Sequence, residues 1–518
     1  MRIGDLITRS ARYYPDKLAS IYKDTHLTYS QLNDRVNKIG NSLLNYGVHK
    51  EDRIGILCYN SHYYHEIFFG IAKTGAVATT INWRLSPKEL LFIINDAEVK
   101  ILFVADRYWK QIQPIKDELL TVEQYIIIGD PISDTINYND FMENSSSIEV
   151  NIEMDANDTF WQLYTSGTTG RPKGVMLTHR NLYADAEHNI IGNRLNIDNS
   201  IMIQVIPMFH IALKLVILAA YVQGAIVFLD KFDLHDICEA IAKEKCTTIA
   251  MGPTMWQYFI DFNDLDKYDL SSLKYCTYST SPMPVNLIKR LMNIFKDITF
   301  FSTYGLTEAG SSLTILPNDQ HIIKGEEHEV KRLGSLGRPL TGVDIRIVDE
   351  KGLDCLPGVV GEIIARGDNI MKGYWKLPDE TAKTLQNGWL YTGDMGYWDD
   401  HGYIYMADRK KEMIISGGEN IYPNEVEQVI REIKDVIDVA VIGVPDEKWG
   451  ESVKAVIVKA PNTELTEEDI INYCAKNIAS YKKPKSVDFV SDLPRNPTGK
   501  VLKRVIREKY WQNSERKV

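Results

Sequence analysis

The 518-residue sequence has few cysteines, no long hydrophobic run and no excess of positive charge. Its six cysteines are scattered and none forms a Cys-x-x-Cys pair, so neither a disulfide framework nor a zinc site is expected. We therefore expect reduced thiols in a cytoplasmic protein. The formal net charge of −11 argues against a nucleic-acid partner, because proteins that bind polyanions usually present a basic face.

Segments that would direct the chain to a membrane are also missing. The N-terminal residues have no apolar core of signal-peptide length. The most apolar stretch, residues 211–228, is interrupted by Lys214 and Gly224 and is too short to span a bilayer. We expect no membrane span.

Helical and strand-like segments alternate through the first part of the chain. Ser30 is expected to cap a helix that ends at Gly47, and Ser86 is expected to begin another helix with a capping box. The apolar runs 54–58 and 101–104 indicate short buried strands. Helices that alternate with apolar strands predict an α/β fold with mainly parallel sheets.

The sequence texture changes near residue 334. From there to residue 405, turn residues are dense and short alternating runs predict antiparallel, barrel-like β structure. A charged run at 408–412 follows, after which helices and strands mix again. We predict a large N-terminal domain, residues 1–407, of α/β subdomains plus a β-barrel-like part, and a small mobile C-terminal α/β domain, residues 408–518.

The densest cluster of chemistry-bearing residues is Tyr-Thr-Ser-Gly-Thr-Thr-Gly-Arg-Pro-Lys-Gly at 164–174. Its glycines let backbone N–H groups approach a phosphate, its hydroxyls donate hydrogen bonds and Lys173 adds positive charge. It does not match a Walker P-loop, because no Gly-Lys-Ser/Thr follows at the required spacing. A flexible surface loop is the alternative, but such loops rarely have this order of residues.

This loop and seven further motifs, in the same order, resemble the superfamily of acyl-CoA synthetases, peptide-synthetase adenylation domains and firefly luciferases. The resemblance covers essentially the whole chain. The further motifs are Pro-Met-Phe-His (207–210), Tyr-Gly-Leu-Thr-Glu (304–308), Gly-Ser-Leu-Gly-Arg-Pro (334–339), Tyr-Thr-Gly-Asp (391–394), Asp-Arg-Lys-Lys (408–411), Ser-Gly-Gly-Glu-Asn-Ile-Tyr-Pro (416–423) and Pro-Arg-Asn-Pro-Thr-Gly-Lys (494–500).

The resemblance implies two half-reactions on a small carboxylic acid, with ATP, Mg²⁺ and coenzyme A. The carboxylate attacks the α-phosphate of ATP and releases pyrophosphate, and the thiol of coenzyme A then attacks the acyl-adenylate and releases AMP. Both steps develop charge on oxygen, so fixed positive groups and a metal ion should dominate catalysis. A homodimer is compatible with the resemblance.

The resemblance also implies roles for individual residues. Lys500 would reach from the small domain to the reacting oxygens, Glu308 would hold Mg²⁺, His210 would orient the carboxylate, and Thr165 would belong to the catalytic phosphate loop. The residues expected to bind ATP or AMP are Thr165, Ser166, Gly167, Thr168, Thr169, Gly170, Lys173, Ser279, Thr280, Ser281, Tyr304 (stacked on adenine), Gly305, Thr307, Glu308, Asp394 (accepting from the ribose hydroxyls), Arg409 and Lys500.

Coenzyme A is expected to pass Ser416, Gly417 and Gly418, where glycine backbone leaves room for a narrow pantetheine arm. The small domain would turn about a hinge at Asp408 to Lys411, which withdraws Lys500 before the second step.

Two stretches of the sequence depart from the family pattern. Ser279 and Thr280 stand where relatives have a glycine pair, so we expect a narrower or more polar pocket. Lys214 stands where many relatives have leucine. It either contacts a second acidic group on the substrate or, as helix lysines more often do, extends to water.

The acid and the acceptor are less sharply defined by the sequence. His210 replaces the aspartate with which amino-acid-activating relatives bind an α-amino group, so a fatty, aryl or alicyclic acid is favoured. Loading of a separate carrier protein, a luciferase-like oxidation and a non-catalytic nucleotide sensor are the alternatives. Retention of Lys173, Glu308, Asp394 and Lys500 together argues against a sensor. The chain ends soon after Lys500, so we expect either thiol acceptor to come in trans.

Overall fold

The protein is described from a computed structural model covering residues 2–143, 145–165, 172–193, 200–279, 283–409, 412–416, 419–446, 448–461, 463–495 and 501–511. Helices α1 to α6 span Asp5–Tyr13, Tyr29–Asn45, His62–Ala72, Pro87–Asp96, Trp109–Ile112 and Tyr138–Glu143. Strands β1 to β8 span Leu18–Tyr22, Thr25–Thr28, Arg53–Leu57, Val77–Thr80, Val99–Ala105, Gln124–Ile128, Ile136–Asn137 and Thr159–Thr165.

The middle of the chain continues the alternation of strands and helices. Strands β9 to β16 span Lys173–Thr178, Ile201–Gln204, Ala225–Phe228, Thr248–Met251, Tyr275–Tyr278, Thr299–Tyr304, Thr314–Leu316 and Arg338–Pro339. Helices α7 to α12 span His179–Asn193, Lys214–Tyr221, Leu234–Glu244, Pro253–Ile260, Val285–Ile294 and Glu327–Lys331.

Two large mixed sheets form the body of the N-terminal domain. In the described residues the first has the strand order β7-β6-β5-β3-β4-β8-β9, and the second has the order β16-β15-β14-β13-β12-β10-β11-β1-β2. Neighbours are parallel through the centre of each sheet, from β7 to β8 and from β14 to β1, and antiparallel pairs lie at the edges. The predicted α/β class is confirmed.

Both predicted helix starts can be compared with the structure. Ser86 caps α4 with a capping box and Pro87 at its first position, as predicted. Ser30 is not a cap, and that prediction is wrong. The cap of α2 is Thr28, whose Oγ1 accepts from Gln31 N (3.3 Å) while Gln31 Oε1 accepts from Thr28 N (2.9 Å). This reciprocal pair satisfies two helix-end donors, and such a cap contributes about 1 kcal/mol.

The segment after residue 340 forms the predicted antiparallel β part. Its strand β18 pairs with β17 and β21, β21 pairs with β20 and β22, and β19 extends the first large sheet by pairing with β9. Strands β17 to β22 span Val343–Val348, Gly361–Gly367, Gly373–Tyr374, Leu385–Gln386, Trp389–Trp398 and Ile404–Arg409, and α13 spans Pro378–Thr384.

The C-terminal part has a separate sheet and a separate core. Ile414, Val426, Val441 and Ile457 are among its fully buried residues, which is what a small independent domain requires. Strands β23 to β27 span Ile414–Ser416, Glu419–Ile421, Val436–Asp446, Gly450–Lys459 and Ser486–Phe489, and helices α14 to α16 span Pro423–Ile430, Glu467–Asn477 and Lys503–Trp511. Across the described ranges, no helix combines the length and apolarity that crossing a bilayer demands.

Candidate active site

A cavity of about 1390 Å³ opens between the second large sheet, the antiparallel sheet and the C-terminal domain. Its lining is chemically mixed. Tyr304 and Asp394 contribute polar groups, Leu215 and Leu218 contribute apolar side chains, and the C-terminal domain contributes charged residues such as Lys503. The cavity therefore offers polar, apolar and charged groups to one ligand.

Tyr304 and Asp394, the predicted adenine and ribose contacts, meet directly although 90 residues separate them. Tyr304 ends β14 and Asp394 lies in β21, and the Tyr304 hydroxyl donates to Asp394 Oδ2 at 2.7 Å. Asp394 is only 3% exposed, and its backbone N–H donates to Thr392 Oγ1 at 3.1 Å. A carboxylate can accept several donors at once, so this pair can also receive sugar hydroxyls. Arg409, the second predicted ribose contact, is the backbone partner of Asp394 in the pairing of β22 with β21.

The phosphate-loop motif joins two antiparallel strands. Thr165 at the end of β8 pairs with Lys173 at the start of β9. A Walker loop instead runs from a strand into a helix, so the structure supports the distinction drawn from the sequence. Ser166, Gly167, Thr168, Thr169 and Gly170, which the sequence assigns to phosphate binding, lie outside the described residues.

Lys173 and Glu308 belong to one polar cluster. Lys173 Nζ pairs with Glu380 Oε2 at 2.5 Å and lies 5.1 Å from the centroid of the Tyr374 ring, whose hydroxyl donates to Glu308 Oε1 at 2.9 Å. Hydrogen bonds from Lys173 and then Lys383 lower the pKa of Glu380 to about 2, so Glu380 is ionised. Burial, and next the Glu308 charge, raises the pKa of Tyr374, so its phenol remains a donor.

This cluster and the cavity are separate in the structure. Ser279, Tyr304, Gly305 and Asp394 line the cavity, whereas Thr165, Lys173, Thr307 and Glu308 are not among its described lining residues. Glu308 and Thr307 belong to a short 3-10 helix, Thr307–Ala309, that follows Tyr304 and Gly305 along the chain. This short segment therefore links the cavity residues to the Lys173–Glu308 cluster.

His210 lies where the Pro-Met-Phe-His segment enters the 3-10 turn Ile211–Leu213, just before α8. Burial, and next the charge of Arg84, lowers the pKa of His210 to about 4. The ring is therefore neutral at pH 7 and can offer one donor and one acceptor. Its neighbours Ile211 and Ala212 line the cavity.

Asn60 anchors the same segment and was not predicted from the sequence. Its side-chain N–H₂ donates to the carbonyls of Gln204 (3.3 Å) and Ile206 (3.1 Å), and its oxygen accepts from Met208 N (2.8 Å). Asn60 is 4% exposed. Tyr374 and Glu380 were missed as well, because none of the three stands within a motif that carries chemistry by itself.

Lys214 does not extend to bulk water, which was one of the two alternatives that the sequence left open. Its Nζ donates to Ser312 Oγ at 2.7 Å and lies 3.6 Å from Asp185 Oδ2, and the residue lines the cavity. Burial lowers the pKa of Lys214, and the charge of Asp185 acts in the opposite direction. Burial likewise raises the pKa of Asp185 against the effect of Lys214.

The C-terminal domain reaches the cavity near the predicted hinge. Asp408 lines the cavity, is 4% exposed, and accepts a hydrogen bond from Asn424 N at 2.7 Å. Lys503 pairs with Glu427 at 2.7 Å and Glu412 at 3.5 Å. Burial alone would lower the pKa of Lys503, but Glu427, Asp408 and Glu412 together raise it. This end of the small domain is thus held by buried charge pairs.

Several predicted residues lie outside the described residues, namely Thr280, Ser281, Lys411, Gly417, Gly418 and Lys500. Their neighbours are described. Ser416 ends β23 and pairs with Glu419 of β24, and Arg495 forms an antiparallel bridge with Val501. Both Arg495 and Val501 line the cavity.

Comparisons with known proteins agree with the ordered motifs. The sequence profile of the AMP-binding enzyme family matches residues 7–375, and that of the AMP-binding enzyme C-terminal domain matches residues 425–500. The long-chain-fatty-acid–CoA ligase FadD13 of Mycobacterium tuberculosis is 34% identical over 494 residues, which cover 94% of both chains.

Two further proteins are similar over nearly the whole chain. The fatty acid–[acyl-carrier-protein] ligase ScoC of Streptomyces coeruleorubidus is 32% identical over 515 residues, covering 98% of this chain and 96% of ScoC. The anthranilate CoA ligase AuaEII, solved with anthranoyl-AMP, is 26% identical with a TM-score of 0.90, covering 98% of this chain and 97% of that one. Because both profiles match and relatives are similar over nearly the whole chain, the chain belongs to the AMP-binding enzyme family of the adenylate-forming superfamily.

Proposed function

We propose that this protein is an AMP-forming acid–thiol ligase, which activates a fatty, aryl or alicyclic acid with ATP and transfers the acyl group to coenzyme A. The observation that carries the proposal is the Tyr304–Asp394 pair in a cavity that apolar side chains such as Leu215 and Leu218 also line. One cavity thus offers a place for a nucleoside beside a place for an acyl chain.

In the first half-reaction, a carboxylate oxygen bonds to the α-phosphorus of ATP and pyrophosphate leaves. The proposed nucleotide contacts are Tyr304 against adenine, Asp394 and Arg409 at the ribose, and Lys173 with the Thr165 loop at the outer phosphates. Lys173 would exchange its ion pair with Glu380 for phosphate oxygens. Charge-assisted contacts of this kind are stronger than neutral hydrogen bonds.

Mg²⁺ would be held by Glu308 together with phosphate oxygens. A single carboxylate beside a phosphate-binding lysine fits this ion, since Mg²⁺ usually takes one or two carboxylates plus substrate phosphates. Tyr374 holds one Glu308 oxygen in place through its 2.9 Å hydrogen bond. The ion would supply neutralisation of the phosphate charge.

His210 acts in this proposal as a neutral hydrogen-bonding group that orients the carboxylate. Its lowered pKa excludes a standing positive charge at pH 7. The positive charge at the α-phosphate would come from Lys500. The Arg495–Val501 bridge supports this assignment, because both residues line the cavity.

In the second half-reaction, the thiol sulfur bonds to the acyl carbon, AMP leaves and the thiol proton is released. We propose that coenzyme A passes Ser416, Gly417 and Gly418, and that the small domain turns about a hinge at Asp408 to Lys411. The proposal also includes a domain boundary at residue 408, a cytoplasmic location and a homodimer. A carrier protein in trans is the second candidate acceptor, which the similarity to ScoC favours.

The test is pyrophosphate release measured across a panel of fatty, aryl and alicyclic acids, with and without coenzyme A. Release that depends on one class of acid and is accelerated by coenzyme A is expected. Release that coenzyme A leaves unchanged would instead favour a carrier protein. ATP binding without release for any acid class would contradict the proposal.

A further inference from the structure

The part of the cavity lining that α8 contributes contains a charged group that an alkyl chain does not need. Lys214, the first residue of α8, lines the cavity together with the apolar Leu215 and Leu218 of the same helix. Its side chain is one-fifth exposed, at 20%, while that of Asp185 on α7 is 4% exposed. The cation therefore faces the cavity, and its counter-ion lies behind it.

The pair is fixed from both sides by Ser312. The Ser312 backbone N–H donates to Asp185 Oδ1 at 3.0 Å, and the Ser312 hydroxyl accepts from Lys214 Nζ at 2.7 Å. Lys214 Nζ and Asp185 Oδ2 are 3.6 Å apart. The ammonium is thus held in one place rather than swinging through the cavity.

An ammonium has three N–H donors and no acceptor. Among the described residues, Lys214 directs its charge to Ser312 and Asp185, so it retains donor capacity toward the cavity. Because Asp185 already balances the charge, a second carboxylate on the substrate would bring an uncompensated negative charge into a site of low polarity. An uncharged oxygen would accept a hydrogen bond without adding charge.

We propose that Lys214 and Asp185 make the acyl pocket selective for acids that carry an uncharged hydrogen-bond acceptor, such as a hydroxyl, carbonyl or ether oxygen, far from the reacting carboxylate. This inference rests on the proposed function and defines its substrate class. His210 precedes the 3-10 turn Ile211–Leu213 and Lys214 follows it, so the carboxylate at His210 and the acceptor at Lys214 would lie at different positions along the acid. The sequence left a second acidic group on the substrate open as one alternative for Lys214, and an uncharged acceptor replaces it in this proposal.

The experiment compares kcat/KM for matched acids that share one skeleton. Cinnamic acid, its para-hydroxy derivative and its para-carboxy derivative form one set, and decanoic acid with its ω-hydroxy and ω-carboxy derivatives forms another. In the wild type, the hydroxy acid of the accepted set is expected to exceed the unsubstituted acid by roughly tenfold, the scale of one charge-assisted hydrogen bond, and the carboxy acid is expected to be the poorest.

Two variants test the roles of the Lys214 cation and of its counter-ion, Asp185, separately. Lys214→Met keeps an unbranched side chain without charge, so the unsubstituted acid should become the best substrate. Asp185→Asn leaves the cation unbalanced, so the carboxy acid should improve relative to the hydroxy acid. Lys243→Met, on an exposed lysine of α9, should keep the wild-type ranking.

The outcomes distinguish failure of the proposed Lys214–Asp185 selectivity from failure of the proposed ligase activity. If wild type and Lys214→Met rank the three acids alike, the inference is overturned although the ligase stands. If no acid of either set supports pyrophosphate release and a wider panel also gives none, the proposed function fails and the inference falls with it. Should Asp185→Asn not fold, the wild-type and Lys214→Met rankings still decide.

Discussion

At the scale of single residues, the Tyr304 hydroxyl gives the most specific prediction about nucleotide binding. It donates to the buried Asp394 carboxylate at 2.7 Å. Tyr304→Phe keeps a ring for stacking but removes this donor, so KM for ATP should rise by roughly three- to tenfold. Tyr304→Ala also loses the stacking ring, and a further tenfold rise is expected.

The measurement is the ATP dependence of pyrophosphate release at saturating acid. Tyr14→Phe, on a half-exposed tyrosine far along the chain, is the matched control and should leave KM unchanged. Equal KM values for wild type and Tyr304→Ala would remove Tyr304 from the nucleotide site.

Gly305 allows a close approach that no other residue permits. A Cβ built there would lie 1.8 Å from the carbonyl oxygen of Ser311, which is backbone and has no rotamer to change. Gly305→Ala should therefore lower the free energy of unfolding by about 1–3 kcal/mol, the usual cost of overpacking, and the thermal unfolding midpoint should fall with it. Gly334→Ala, which meets only Val285 at 3.8 Å, is the stability control. Calorimetry that gives both variants the same midpoint would contradict this reading of the contact.

At the scale of elements, Lys503 secures helix α16 to α14. Glu427 on α14 is 5% exposed, and its Oε1 accepts from both Lys503 Nζ and Val441 N. Lys503→Met removes the cation at 2.7 Å and leaves this carboxylate with Arg431, whose Nη2 lies 3.4 Å from Oε2. Removing one partner of a buried ion pair typically costs about 3–5 kcal/mol, and Arg431 should hold the loss to the lower end of that range. The variant should unfold at a lower temperature and be cleaved faster by protease near the C-terminus.

A double variant tests that explanation. Lys503→Met combined with Glu427→Gln removes the buried charge but keeps an acceptor for Val441 N, so most of the lost stability should return. Additive losses in the double variant would mean that lost packing, and not an unpaired charge, explains the single variant.

Local patterns predicted elements well and contacts between elements poorly. The Ser86 cap and the parallel strands follow from short sequence patterns. The predicted start of α2 at Ser30 is wrong, because Thr28 and Gln31 form a capping box two residues earlier. The Lys214–Asp185 pair could not be predicted, because it depends on how α7 packs beside α8.

The order of the motifs predicted more of the site than the helix and strand patterns did. It assigned Tyr304 and Asp394, which are 90 residues apart, to the same nucleotide, and their side chains are in contact in the structure. Hydrophobic periodicity alone does not indicate such a contact. Asn60, Tyr374 and Glu380 were not predicted, because a single amide, phenol or carboxylate has no characteristic spacing in the sequence. Their roles arise only when the folded strands bring Lys173, Glu308 and the Pro-Met-Phe-His segment beside them.

At the scale of the whole molecule, buried histidines predict sensitivity to acid. Burial lowers the pKa of His62, His179, His210 and His321 to about 4 and that of His65 to about 3. Between pH 6.5 and 4 the unfolded chain binds protons that the folded chain does not, so stability falls as pH falls through this window. Each group contributes on the order of 3 kcal/mol of this loss.

The measurement is the thermal unfolding midpoint from pH 8 to pH 4.5. The midpoint should be nearly flat above pH 7 and fall steadily below 6.5. His179→Gln removes one buried titrating ring and should make the fall shallower. A midpoint that rises toward pH 5 would contradict the assignment of these rings as neutral.

In the proposed mechanism one cleft carries out both half-reactions, and Lys500 is needed only for the first. Lys500→Ala can be compared with wild type in both half-reactions: pyrophosphate release from acid and ATP, and thioester formation from a supplied acyl-adenylate and coenzyme A. Lys509→Ala, on the exposed face of α16, is the control and should retain both activities. Lys500→Ala is expected to lose pyrophosphate release by roughly a hundredfold or more and to keep thioester formation within a few-fold of wild type. Equal losses in both halves, or none in the first, would contradict this mechanism.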